Sequence, residues 1–366
     1  MTEYWDSYNN LQRVKHQLVR EYLNGWLPKL TLGQFGSKKV IYFDTHAGKG
    51  RHESGELGSP LIALSTVLNH RTFKQHNPEV NFYFIEKERE NAEALTAELR
   101  TLEPLPPNAK VFVDQGECFV RLSEIAKSVK EQNQRLAPSF IFCDPFNFNV
   151  PFTLFRELMA FPRVEVFINV MWRELDMGIS HAREGVPGWV TSMNTIFGSD
   201  VWKSIDAPDH DDRAEQVVKI LRDQVGAKWA THIRMCGANG ATRYFLLHLT
   251  KSDEGRDLMK TCLWKVCPAE GYFARVTDNP KQQYLIRPEP DLLPLRKWVL
   301  QQLKEGPKRW LQLTGKVRDE IWLGKHLNEV IRDLRNEGKI EPSDALGTGI
   351  FAERNSPILT LVGDSP

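Results

Sequence analysis

Apolar residues recur every three or four positions from about Asn9 to Leu30. Leu11, Val14, Leu18, Tyr22 and Trp26 fall on one face and predict an amphipathic helix. The pattern then shortens into apolar runs: KVIYFD (39–44), VNFYFIE (80–86), AKVFVD (109–114), SFIFCD (139–144) and VEVFINV (164–170). These read as buried strands, and helical patterning such as SPLIALSTVLN and ERENAEALTAELRTL separates them. In the first of these helices Ser59 is placed as the cap and Pro60 in the first turn. Two later runs, AKWATHIRM (227–235) and TRYFLLHLT (242–250), flank CGANGA and predict an antiparallel hairpin, followed by a helix over 253–266. Strands alternating with helices predict an α/β fold with a mainly parallel sheet covered on both faces.

Periodicity fades where prolines gather, between about Pro268 and Pro290. The chain therefore divides into an α/β domain over 1–270, a linker over 271–290 and a small domain over 291–366. In the last, DLLPLRKWVLQQLKE, GPKRWLQLTGKVRDEIW and GKHLNEVIRDLRNEGKIEP pattern as helices, and GIFAERNSPILTLV as two strand-like runs. Three helices followed by a hairpin outline a winged helix. Between Lys304 and Lys339 nine Lys/Arg stand against six Asp/Glu, a mildly basic balance. The last helix of a winged helix enters the major groove. That would bring Lys325, His326, Asn328, Arg332 and Arg335 toward DNA or RNA, with Arg354 on the wing. Winged helices also serve as protein-docking modules, so the fold alone does not choose between these partners.

Composition narrows the class. A chain of 366 residues with 41% hydrophobic and 26% charged residues has the profile of an ordinary globular protein. A net charge of +1 neither forces nor excludes a nucleic-acid partner. No stretch approaches the roughly 20 apolar residues of a membrane span, and the polar amino terminus lacks the apolar core of a signal peptide. The odd count of five cysteines, without close pairing, points to reduced thiols and a cytoplasmic location. DAPDHDDR (206–213) gathers acids around His210, but acids before a helix read as solvated caps, and no metal site is expected.

Four of the first five strands end in or beside an acid, at the edge where open parallel sheets bind ligands. After the first, DTHAGKGRHESGELGSP carries Gly48, Gly50, Gly55 and Gly58, which suits a sharp turn or a close backbone approach to a ligand. A P-loop would need Ser or Thr after Lys49, which is followed by Gly50. A dinucleotide fingerprint needs a third glycine where Glu53 stands, and the next strand-terminal acid, Glu86, lies 36 residues beyond Gly50. S-adenosylmethionine fits better. Its amino-acid end needs backbone donors and an acid, its ribose diol a carboxylate, and its adenine polar and apolar edges. Asp44, His46, Ala47, Gly48, Gly50, Glu86 and Asp114 occur in that order and are the candidate cofactor residues.

The segments FDTHAGKGRHESGELGSPLIAL, FYFIEKE, FCDPFNFNVPF and FLLHLTKSDEGRDLMK resemble the three-Cys-motif partner (TcmP) family over roughly residues 9–267. The first motif of that family reads closer to DLFAGPGR; here Thr45 and His46 replace Leu-Phe, and Lys49 replaces Pro. The resemblance implies a methyltransferase-like Rossmann domain, a three-Cys-motif protein as partner, and the winged helix appended in some members.

CDPFNF (143–148) stands where amino-methyltransferases carry Asp/Asn-Pro-Pro-Tyr/Phe. On that reading Asp144 and Pro145 orient the acceptor, and Phe146 or Phe148 contacts a base turned out of its stack. The alternative is a strand-end acid, a proline turn and buried phenylalanines. Asn169, Trp172 and Arg173 follow the fifth strand at the same edge and are candidate substrate contacts. Two functions follow: a methyltransferase acting on nucleic acid, or a non-catalytic partner that binds S-adenosylmethionine or a nucleotide.

Overall fold

The computed structural model describes residues 9–33, 36–278, 288–343, 351 and 355–363. They form two compact units: Met1–Cys262 with Phe273–Gln282, and Leu263–Tyr272 with Gln283–Pro366.

In the first unit, α1 (Asn10–Thr31) precedes the strands β1 (Lys39–Asp44), β2 (Glu79–Glu86), β3 (Ala109–Gln115), β4 (Ser139–Cys143) and β5 (Val164–Val170). Between them lie α2 (Ser59–Asn69), α3 (Arg71–His76), α4 (Arg89–Arg100), α5 (Cys118–Glu131) and α6 (Phe152–Met159). Helices α7 (Trp172–Arg183), α8 (Pro187–Phe197) and α9 (His210–Val225) lead to the hairpin β6 (Trp229–Cys236) and β7 (Thr242–Thr250), then to α10 (Asp253–Val266) and β8 (Phe273–Arg275). The sheet runs β3-β2-β1-β4-β5-β7-β6-β8. β1 to β5 pair in parallel, and β7 alone is antiparallel to both its neighbours. This is an open, mainly parallel α/β sheet with helices packed on it, as the alternating pattern predicts.

Because side chains alternate across a strand, each strand feeds two cores. Ile41, Phe43, Ile85, Ile141, Ile168 and Val170 pack beneath α5 to α9. On the other face Phe82, Tyr42, Phe140 and Phe167 form a ladder with ring centroids 6.2, 6.1 and 6.2 Å apart. Tyr22 of α1 stacks on Phe140 at 4.8 Å. The central strands β4 and β5 are buried throughout, while the edge strand β3 alternates between buried or half-buried and exposed along most of its length.

Two sequence expectations are corrected. Residues 273–275, expected inside a linker, are β8: they pair with Arg234–Cys236 and bury Ala274. Ser59 is not a cap but the first residue of α2; Gly58 precedes the helix, and the Ser59 hydroxyl lies close enough to Asp44 to favour its charged form.

The second unit contains α11 (Leu293–Lys304), β9 (Lys308–Arg309), α12 (Trp310–Val317), α13 (Gly324–Asn336), β10 (Ile340–Ser343) and β11 (Ile358–Leu361). Its strands pair antiparallel in the order β10-β11-β9. Leu295, Val299, Leu313, Leu327, Ile331 and Leu359 form its buried interior. Among the described residues no helix is long and apolar enough to cross a membrane.

Candidate active site

The carboxyl ends of β1, β2, β4 and β5 gather most of the residues singled out above. β1 ends at Asp44, which is fully buried. The chain then turns through Gly48 and Gly50 at φ +63° and +85°, conformations that tolerate glycine and strain other residues. Gly58 N–H donates to Gly50 O at 2.7 Å and closes the loop, so α2 starts beside the turn. A Cβ on Gly50 would also sit 2.9 Å from Leu95 Cδ1.

Glu86, at the end of β2, fixes this turn. Its Oε2 accepts from Gly48 N–H at 2.6 Å and its Oε1 from Glu88 N–H at 2.9 Å. Ala47 N–H donates to Ile85 O at 3.0 Å, tying the loop to the same strand. Each carboxylate oxygen keeps a second lone pair for a ligand hydroxyl.

Burial pushes the Asp44 carboxyl up to about 7; the Ser59 hydroxyl opposes this, and the Asp144 charge adds to it. His46 lies within hydrogen-bond range of Thr45 Oγ1 (2.9 Å) and near Cys118 Sγ (3.5 Å). Burial lowers its imidazole to about 4, so it is neutral at physiological pH.

Asp144, just past β4, shares the face of Tyr42, Phe142 and α1. Its Oδ2 accepts from the ammonium of Lys15, and its Oδ1 from Asn169 Nδ2 at 3.0 Å. Lys15 is 3% exposed, so the pair is a buried ion pair held by helix α1. The Asn169 Oδ1, also buried, has no partner among the described residues. The site therefore holds one fixed carboxylate and one buried, unpartnered carbonyl oxygen side by side.

Lys15 was missed in the sequence reading. It lies four residues after Leu11 and three before Leu18, inside the apolar stripe rather than opposite it. A lysine there has to find a buried anion, because an unpaired buried charge is costly. His16 follows it into the interior, its ring centroid 6.0 Å from that of His52. Burial, then the Lys15 charge, hold the His16 imidazole well below its ordinary value.

Other expected residues are placed differently. Asp114 lies at the end of β3, partly exposed, paired with Arg121 Nε at 3.2 Å. Trp172 is not a substrate contact. It is fully buried and donates its indole N–H to His210 Nδ1 at 3.3 Å, so its ring belongs to the core. Phe148 stacks on Trp189 at 5.6 Å and packs against the same core, which removes it from the acceptor position. Pro145 is buried, whereas Phe146 is 55% exposed. Arg173 is exposed and pairs with Glu174 at 2.9 Å. Among the described residues no three His, Cys, Asp or Glu side chains converge as a metal ion needs. Asp209 caps α9, accepting from the N–H groups of Asp211 and Asp212 at 2.7 and 3.2 Å.

In the second unit, Lys325 and Arg332 on α13 are exposed, and Arg335 lies over the Phe351 ring at 5.2 Å. His326 and Asn328 are corrected from candidate contacts to structural residues. His326 is buried with its ring edge-on to Trp264 at 4.8 Å, and Asn328 accepts the Trp310 indole N–H at 2.7 Å. Arg354 lies outside the described residues.

No family model matches this chain, and no curated protein does. Solved structures resemble it in fold. Trm1 from Pyrococcus horikoshii, in complex with S-adenosyl-L-methionine, aligns over 69% of this chain and 60% of its own, at 14% identity and a TM-score of 0.38. The O-methyltransferase from Bacillus cereus, in complex with SAH, aligns over 67% and 83% at 10% identity and a TM-score of 0.35. Human methyltransferase 10 domain containing protein aligns over 64% and 82%, at 11% identity and a TM-score of 0.29. The chain thus spans less than two thirds of the archaeal structure. At these identities the likeness concerns the fold alone.

Proposed function

We propose that this protein is an S-adenosylmethionine-dependent methyltransferase. The observation that carries the reading is the carboxyl edge itself: the glycine turn locked by Glu86 lies along the same edge as a buried carboxylate, Asp144, and a buried carbonyl oxygen without a partner among the described residues, Asn169 Oδ1. When bound, the cofactor supplies an electrophilic methyl group on a sulfonium. Asp44 and the Ala47–Gly50 backbone would hold its amino-acid end, and Glu86 its ribose diol. Asp114 would serve the adenine end only if it left Arg121, so it is the weakest member of the set.

The acceptor side follows from hydrogen-bond bookkeeping. Asp144 cannot rotate freely, because Lys15 and Asn169 hold one oxygen each. A substrate N–H or O–H can be received by Asn169 Oδ1 and by the remaining lone pairs of Asp144, which orients the attacking atom. Orientation of this kind is a large part of what such a site contributes. Phe146, exposed next to Pro145, is the aromatic side chain that this reading sets against a planar acceptor.

The acceptor in this reading is a nucleic acid. Support comes from the second unit, whose helix-helix-helix and antiparallel-strand order suits a winged helix and whose α13 exposes Lys325 and Arg332. The three-Cys-motif protein is the partner that the sequence resemblance suggests. A second reading, a non-catalytic module binding the same cofactor, draws on Lys15 and Asn169, which between them already engage both oxygens of Asp144.

Calorimetry with S-adenosylmethionine and S-adenosylhomocysteine tests the cofactor site. Binding should be lost in Asp44→Ala and Glu86→Ala; a folded wild type that binds neither ligand overturns the reading. Transfer of labelled methyl to DNA or RNA, abolished by Asp144→Ala with cofactor binding intact, separates the enzyme from the non-catalytic partner.

A further inference from the structure

The opposite edge of the sheet holds a second polar centre that the methyltransferase reading does not use. At the amino end of β5, Glu165 is 5% exposed. Its Oε2 accepts from the Tyr22 hydroxyl and lies 2.9 Å from His248 Nε2. Its Oε1 makes no hydrogen bond among the described residues. This carboxylate forms part of the wall of a cavity of about 590 Å³ enclosed by α1, the start of β5, the end of β7 and the first turns of α10.

The cavity is graded in chemistry. In its depth Tyr22 and Trp26, one helical turn apart on α1, flank Glu165, and the Trp26 indole N–H is buried without a partner among the described residues. Leu30, Leu32 and Leu258 give an apolar wall. At the mouth, Lys29 and Arg163 are exposed and make no ion pair among the described residues. Lys251 is engaged with Met159 O at 2.6 Å, and Glu254 accepts from Ser252 Oγ at 2.9 Å. Arg163 adopts φ +58°, a left-handed conformation that is strained for arginine and characteristic of sites where backbone geometry serves a purpose. Gly255 lets α10 close over the carboxylate: a Cβ there would lie 2.9 Å from both Glu165 Oε2 and Thr250 Oγ1.

We propose that this cavity binds a small zwitterionic molecule with an apolar body, its ammonium on Glu165 Oε1 and its acid group toward Lys29 and Arg163. Glu165 lines the cavity with one oxygen uncommitted among the described residues, and a carboxylate oxygen in that position is best met by a charged donor. The aromatic walls favour the same cation. The cations at the mouth, Arg163 and Lys29, call for an anion on the same molecule, Lys29 lying also within electrostatic reach of Glu254. The site is independent of cofactor binding at the other edge.

The test uses the full chain and three probes in calorimetry: L-phenylalanine, phenethylamine, which lacks the acid, and 3-phenylpropionate, which lacks the amine. L-Phenylalanine should bind more tightly than either truncated probe. Glu165→Gln should weaken L-phenylalanine and phenethylamine by roughly tenfold or more and leave 3-phenylpropionate little changed. Lys29→Met with Arg163→Met should weaken L-phenylalanine and spare phenethylamine. Both mouth residues are exposed, so this variant keeps the test valid if Glu165→Gln fails to fold. Absence of binding by all three probes, or affinities unmoved by either substitution, overturns the proposal.

Discussion

The two edges of one sheet handle buried charge in opposite ways. At the carboxyl edge both oxygens of each acid are held by the protein: Glu86 by two backbone N–H groups, Asp144 by Lys15 and Asn169. At the amino edge Glu165 is engaged through one oxygen only among the described residues, and the Trp26 N–H in the same cavity wall has no partner among them. A site whose acids are held at both oxygens is rigid before its ligand arrives and gains by preorganisation. A half-satisfied site gains by completing its hydrogen bonds with the ligand. The first arrangement suits chemistry and the second suits recognition.

The largest break in this comparison is Lys15→Met. It strands a buried carboxylate and should cost about 3–5 kcal/mol in denaturant unfolding. Adding Asp144→Leu should recover much of that loss, because the pair then disappears as a unit. Next come the two glycines. Gly50→Ala places an alanine at φ +85° and should cost about 1–3 kcal/mol while weakening S-adenosylmethionine binding alone. Gly255→Ala should weaken L-phenylalanine alone; calorimetry on both variants with both ligands checks the independence of the edges.

A pH series sharpens the contrast further. Burial raises the Asp44 carboxyl from its ordinary value to about 7, so the folded chain holds a proton that the unfolded chain releases. Its contribution to stability is complete below the ordinary aspartate range and is lost as pH rises to about 7. The melting temperature of Asp44→Asn should therefore exceed that of wild type most at pH 8 and converge with it toward pH 4. Cofactor affinity should run the other way, rising through pH 7 as Asp44 ionises, and this rise should vanish in Asp44→Asn. The smallest effect is Arg173→Ala: an exposed side chain paired, among the described residues, with its neighbour alone should change stability by no more than about 0.5 kcal/mol.

Much of the carboxyl edge was legible because parallel strands advertise themselves. Continuous apolar runs ending in an acid mark both the strand and the edge at which the acid emerges, and this located Asp44, Glu86 and Asp144. What stayed hidden depended on contacts remote in sequence. Lys15 meets Asp144 across 129 positions, and Tyr22 meets Glu165 across 143. Trp172 follows a strand just as a substrate contact would, yet its ring turns into the core. β8 is only three residues long and pairs with a strand from well upstream, too little pattern to separate from a linker.

Helix α1 carries Lys15 toward one edge and Tyr22 toward the other, seven residues and about 10 Å apart along its axis. Seven residues are close to two full turns, so both side chains leave the same face. The helix thus works as a gauge of fixed length between two buried carboxylates. Inserting a single residue between these positions would turn one end by about 100° against the other. Asp144 and Glu165 could then no longer both keep their partners, so the two edges, independent in what they bind, share one register.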